Sequence, residues 1–146
     1  MRFDPQTGTI TWRIHLASPP EAVFRAIATD AGRASFWAEA ASENNGAVTF
    51  QFPNAVTWTG RILNRVEPVE FAIDYFGSRA EFRLQPDGDG GTDLTLIDRG
   101  VSDTDRTETI AGWVSVLMAL KAAVDHEIDL RNHDPARSWD QGYADN

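Results

Sequence analysis

From Trp37 to Arg99 apolar and polar side chains alternate almost without interruption, and after Gly100 the alternation gives way to apolar steps of three and four residues. A period of two marks strands with one buried face; a period near 3.6 marks an amphipathic helix. A chain written in this order must cover one broad apolar sheet face, and only its final helix is long enough to do so. The strands are short and meet at turn residues, so they read as one antiparallel meander. Asn45-Gly46 is the sharpest turn, because a two-residue hairpin needs positive φ at both positions. Val48, Phe50 and Phe52 follow on one face. Along the stretch from Val56 to Val66, alternation places Val56, Trp58, Gly60, Ile62, Asn64 and Val66 inward and Thr57, Thr59, Arg61 and Arg65 outward. Glu67-Pro68 breaks this strand. Phe71, Ile73 and Tyr75 line the next, closed by a turn at Gly77-Ser78, and Ala80, Phe82 and Leu84 repeat the pattern. Pro86 to Gly91 forms a hairpin loop, after which Leu94, Leu96 and Asp98 share a face.

Thr9 to Leu16 reads as a half-buried strand, with Ile10, Trp12, Ile14 and Leu16 inward. Ser18-Pro19-Pro20-Glu21 then predicts a helix start, with Ser18 as N-cap, Pro19 at the first helical position and Glu21 closing a capping box. Thr29-Asp30 predicts the cap of a second short helix ending near Phe36. Ile110, Trp113, Val114, Leu117, Leu120, Val124 and Ile128 form one stripe on a helix of about 25 residues, roughly 35–40 Å long. Asp103 or Asp105 is its expected cap. The expected architecture is α+β: an antiparallel sheet of about six or seven strands, curved around a long C-terminal helix because sheets twist, with two short helices after the first strand. Residues 1–131 form this domain. Residues 132–146 form a polar tail, expected to dock through Trp139 and Tyr143.

The chain has 146 residues and a formal net charge of −9. Binding a phosphate backbone or an anionic membrane requires clustered cations, so neither nucleic acid nor a membrane is an expected partner. No apolar run approaches the roughly 20 residues of a membrane span, and the N-terminus lacks a basic-then-apolar signal pattern, so the expected location is the cytoplasm. The absence of cysteine removes disulfides, thiolate nucleophiles and cysteine metal sites.

Rigid rings on a concave sheet leave gaps that flexible aliphatics would fill, and an aromatic gap with a few polar groups suits a small molecule. The expected cavity walls are Trp37, Phe50, Phe52, Trp58, Asn64, Ile73, Tyr75, Phe82, Asp98, Trp113 and Leu117. Each ring has the plainer reading of core packing. Asp98 is the one candidate acid: beside Leu94 and Leu96 an unpaired carboxylate would be pushed up in pKa and could orient or protonate a ligand carbonyl. Its alternative is a strand end in water or an arginine pair. His15 falls on the polar face of its strand. No metal or cofactor is expected. His126-Glu127 begins like a zinc-protease helix, but Leu130 occupies the second ligand position. The Asp87-Gly88-Asp89-Gly90 loop has its glycine too early for a calcium loop and strands on both sides.

The order strand, two helices, about six strands and long helix resembles the START-like (SRPBCC) superfamily. More narrowly, the chain resembles the family named for the activator of heat-shock protein 90 ATPase. The carriers are Ala17-Ser18-Pro19-Pro20-Glu21-Ala22-Val23-Phe24, the pair Phe36-Trp37, the strand Gly60-Arg61-Ile62 through Glu67-Pro68, and Gly91 to Leu96 followed by Gly112-Trp113 and Leu117 to Lys121. The resemblance spans roughly residues 9–130 and implies a helix-grip fold with a cavity under the long helix. It implies three classes of function: binding of a small hydrophobic molecule, a cyclase or dehydratase, and a protein-interaction module with a chaperone partner. A homodimer through a sheet edge or the Trp139 tail is open to the same chain.

Overall fold

The computed structural model describes residues 1–146. Its strands are β1 (Arg2–Asp4), β2 (Thr9–Leu16), β3 (Ala40–Asn44), β4 (Ala47–Gln51), β5 (Thr57–Val66), β6 (Glu70–Tyr75), β7 (Ser78–Pro86) and β8 (Thr92–Arg99). Three helices accompany them: α1 (Pro20–Ala28), α2 (Asp30–Ala34) and α3 (Arg106–His126). All strands join one antiparallel sheet in the order β1-β2-β8-β7-β6-β5-β4-β3. The hairpin meander runs from β3 to β8, and β2 then pairs with β8 from Ile10 opposite Asp98 to Leu16 opposite Thr92. Since β2 and β3 lie on opposite sides of the sheet, α1 and α2 bridge its whole width. The helix-grip architecture expected from the alternation is present, with eight strands in place of six or seven. The extra strand is β1, three residues too short to show a period.

Local signals hold where nothing distant competes. Asn45 and Gly46 have φ of 51° and 76°, as their hairpin requires. Thr29 caps α2 by accepting the Gly32 N–H at 3.1 Å. The start of α1 differs from expectation. Pro19 is its N-cap, Pro20 its first residue, and no side chain caps it. Ser18 has turned away, its one hydroxyl proton shared between Asp125 Oδ1 and the Val124 carbonyl, each at 2.8 Å. A tertiary acceptor has won over the local one.

Helix α3 has 21 residues and is therefore roughly 31 Å long. Its buried stripe is Trp113, Leu117 and Leu120, with Ala119 and Ala122 beside it. Two members of the expected stripe fall outside. Val114 lies a 100° rotation from Trp113 and is 40% exposed, and Ile128 follows the left-handed Glu127 (φ 53°) that ends the helix. Asp105 occupies the N-cap position without capping; its carboxylate accepts from the Ser102 hydroxyl at 2.6 Å. Contrary to the expectation drawn from apolar runs, α3 is long and apolar enough to cross a membrane by length and composition, with a mean hydropathy of 1.3. Here its stripe packs on the sheet and on α1.

The tail folds back over the domain. Arg131 donates to the carbonyls of Ala38 (2.8 Å) and Ala34 (2.7 Å), and the Trp139 indole donates to Glu108 at 3.0 Å. Ser115 donates to the Ala144 carbonyl at 2.8 Å. Tyr143, expected to dock, is 44% exposed. Between the anchors sits His133, its Nδ1 at 2.6 Å from Glu39 Oε1 and its Nε2 at 2.7 Å from Asp129 Oδ2. Both nitrogens can donate only in the imidazolium form. Hydrogen bonds to Asp129 and then Glu39 outweigh burial and raise its pKa above the ordinary histidine value. A raised folded-state value means that this clamp is complete below about pH 6.5 and is lost as pH rises through the raised value. Amide exchange in residues 132–145, corrected for intrinsic rate, is expected to quicken as pH rises above about 6.5 and through the raised His133 value. His133→Gln should remove that extra pH dependence; an identical profile in both proteins would refute the clamp.

Candidate functional site

The middle of the concave side is closed to solvent. Phe50, Phe71, Ile73, Phe82, Leu94, Leu96 and Leu120 are fully buried, and Leu117 nearly so. Space opens at one end, beside the N-terminal half of α3, as a groove of about 650 Å³. Four elements build it: the loop before β5, the β6–β7 turn, the end of β8 with the following loop, and α3. The tail closes one side through Trp139, Asp140 and Asn146.

Trp37, delivered by the segment after α2, is the hub of its inner wall. Its ring centroid lies 4.9 Å from Phe50, 5.4 Å from Tyr75, 5.4 Å from Phe82 and 6.0 Å from Trp113. Its indole N–H donates to the Tyr75 hydroxyl at 3.1 Å. Tyr75 ends β6 with its ring 5.2 Å from Trp113, and burial pushes its pKa well above the ordinary phenol value. These rings interlock at tilted or edge-on angles that suit their quadrupoles.

Asp98 forms the polar part of the floor. Strand parity puts it beside Leu96, and the structure leaves it 1% exposed. The expected alternative, a solvated strand end or an arginine pair, is overturned. Trp113, about two turns into α3, donates its indole N–H to Asp98 Oδ2 at 2.7 Å. Burial is the main cause that raises the Asp98 pKa, with Ser78 and Trp113 pulling it partly back. The Ser78 hydroxyl, which lies near the Asp98 carboxylate, donates to the Tyr75 carbonyl at 2.9 Å, and Asp98 Oδ1 is buried without a hydrogen-bond partner. A buried acceptor left without a partner is an uncommon feature that asks for a cause.

Of the residues expected to line a cavity, Trp37, Phe52, Tyr75, Asp98 and Trp113 do so. Phe50, Ile73, Phe82 and Leu117 are core residues outside the lining. Trp58 stacks on Phe76 at 5.0 Å and donates to the Asp74 carbonyl at 3.1 Å. Asn64 lies past a register break between Ile62 and Asn64, where it pairs with Ala72 outside the groove. Simple alternation cannot carry parity across such a bulge. His15 pairs with Asp93 at 3.1 Å outside the groove, and Asp87 closes its own loop by accepting from Asp89 and Gly91.

Sequence reasoning missed Phe76, Asn54, Glu108 and the tail wall. Phe76 and Gly77 form the β6–β7 turn, with Tyr75 paired to Ser78, so the turn lies one residue earlier than expected. No sequence signal marks Phe76: its 48% exposure and its φ of 51° are set by the fold. The lining includes four acids, Asp98, Asp105, Glu108 and Asp140, and no lysine, arginine or histidine. No group of three or more histidine, aspartate or glutamate side chains is placed to hold a metal.

A protein of unknown function from Enterococcus faecalis has the same fold, with a TM-score of 0.75 and 21% identity over 86% of this chain and 76% of that one. The Aha1 dimer from Colwellia psychrerythraea superposes with a TM-score of 0.70 and 19% identity, covering 81% of this chain and 96% of that one. CalU16 from Micromonospora echinospora gives 0.67 and 24% over 83% of this chain and 78% of its own. No curated protein matches the sequence. The family model for activator of Hsp90 ATPase homolog 1-like proteins matches residues 17–125, which take in every strand from β3 to β8, α1, α2 and nearly all of α3. The chain belongs to the activator of Hsp90 ATPase homolog 1-like family.

Proposed function

We propose that the protein binds a small, mostly apolar molecule in the groove between the β6–β7 turn, the end of β8 and the first half of α3. The observation that carries this reading is the contrast in packing. A core otherwise filled by its own rings leaves about 650 Å³ against Trp37, Tyr75 and Trp113. That volume falls within the roughly 300–1,000 Å³ of small-molecule sites, and the inner wall is aromatic while the rest of the lining is largely polar and acidic. Tyr75 and Asp98 both line the groove, and each offers an oxygen to a ligand's polar end. A protein-docking role finds its support elsewhere, on the outer face of α3, where Val114 and Met118 are 40% and 50% exposed.

Gly112 supplies the test. It lines the groove from α3, and a Cβ built on it meets nothing within 4 Å. Gly112→Trp should fill the groove without disturbing the helix. Titration with Nile red, an uncharged apolar dye, is expected to saturate with the native protein. The variant should bind at least about tenfold more weakly at an unchanged circular dichroism spectrum. Equal dye affinity in both proteins, or none in the native one, would overturn the assignment.

A further inference from the structure

The groove has a chemical bias that the binding reading alone does not use. Asp98 Oδ2 is satisfied by Trp113, whereas Oδ1 is buried without a donor. Trp113 meets Asp98 through its indole N–H, and the rings of Tyr75 and Trp37, whose faces carry partial negative charge, lie 5.2 and 6.0 Å from the Trp113 ring in the same groove wall. Asp105, Glu108 and Asp140 stand among the other lining residues, and no basic side chain joins them. Their neutral partners add no positive charge: Ser102 bonds Asp105, Trp139 bonds Glu108 and Asn54 bonds Asp140.

We infer that the ligand is an organic cation, an apolar body carrying an ammonium group that docks against Asp98 Oδ1. This rests on the groove being a ligand site and adds the class of ligand. Each feature selects the same partner. An ammonium group brings the N–H donors that Oδ1 lacks and the charge that a buried carboxylate needs to ionise. Aromatic faces attract a cation, most strongly where water is excluded. A fatty-acid carboxylate would meet Asp98, Asp105, Glu108 and Asp140 with like charge, in a chain that already carries −9. A neutral alcohol could donate one hydrogen bond to Oδ1 but would leave any charge on Asp98 unpaired.

Calorimetric titration of the full chain with octylamine, octanol and octanoate at pH 7 tests this. The three probes share one alkyl body and differ in the charge of the head. Octylamine is expected to bind at least about tenfold more tightly than octanol, with octanoate weakest. In Asp98→Asn the ratio of amine to alcohol affinity should fall several-fold, the remainder coming from Asp105, Glu108 and Asp140. The comparison on the native protein stands whether or not that variant folds. Octanol binding as tightly as octylamine overturns the cation and leaves the groove as a ligand site, and an undiminished preference for amine in a folded Asp98→Asn protein overturns the docking against Asp98. Failure of all three to bind removes both.

Discussion

Gly60→Ala is expected to lower the urea unfolding midpoint by the equivalent of about 3 kcal/mol or more, by forcing β5 away from β6. A Cβ at this position would lie 1.8 Å from the Asp74 carbonyl oxygen, 2.9 Å from the Trp58 indole nitrogen and 3.0 Å from the Asp74 carbonyl carbon. Two of the three are backbone atoms of a neighbouring strand, which cannot swing aside as a flexible side chain would. The third makes the Trp58 hydrogen bond to Asp74, so the glycine is what lets an indole reach across the sheet. The damage would spread to the groove, because Asp74 precedes Tyr75 and the Phe76-Gly77 turn. Gly112→Ala is the matched control. Its added methyl meets nothing, and losing a helical glycine should stabilise by about 0.5–1 kcal/mol. A Gly60→Ala midpoint equal to that of the native protein would mean that the strands do not approach so closely in solution.

Asp125→Ala is expected to cost about 3 kcal/mol, because one carboxylate holds the start of α1 to the end of α3. Its oxygens accept from the Ala17 and Ser18 backbone N–H groups at 3.0 Å each, from the Ser18 hydroxyl at 2.8 Å and from Lys121 Nζ at 3.0 Å. Removing it leaves part-buried donors unpaired, which is where most of the loss arises. Burial by itself would raise the Asp125 pKa, but these hydrogen bonds outweigh it and hold the group at about 2. A depressed folded-state value contributes stability that is complete above the unfolded pKa near 4 and vanishes as pH falls through 2. Linkage puts that contribution at about 2 kcal/mol. Denaturant curves for native and variant proteins should therefore converge between about pH 4 and 2. A constant gap across that range would show that the carboxylate's charge plays no part.

The period-two stretch, the switch to a helical period after Gly100 and the turn chemistry of Asn45-Gly46 made the architecture legible, because backbone pairing and one-sided burial are written into residue order. The inward set Phe71, Ile73, Tyr75, Phe82, Leu94, Leu96 and Asp98 was readable for the same reason: in an unbroken strand, parity is geometry. Where the strand is broken, as at the bulge between Ile62 and Asn64, that rule failed, and Asn64 left the set.

What the sequence by itself determined is which faces are apolar and in what order the elements follow. Only the tertiary structure decided where those faces leave room. Ser18 exchanged a local cap for Asp125, Gly60 opened a path for Trp58, and the tail brought Trp139 and Asp140 to a groove far from them in the chain. The physical reason is that a pattern records the sign of each residue's preference for water. The space left between packed rings depends on side-chain volumes and angles contributed by distant segments, and no local period encodes those.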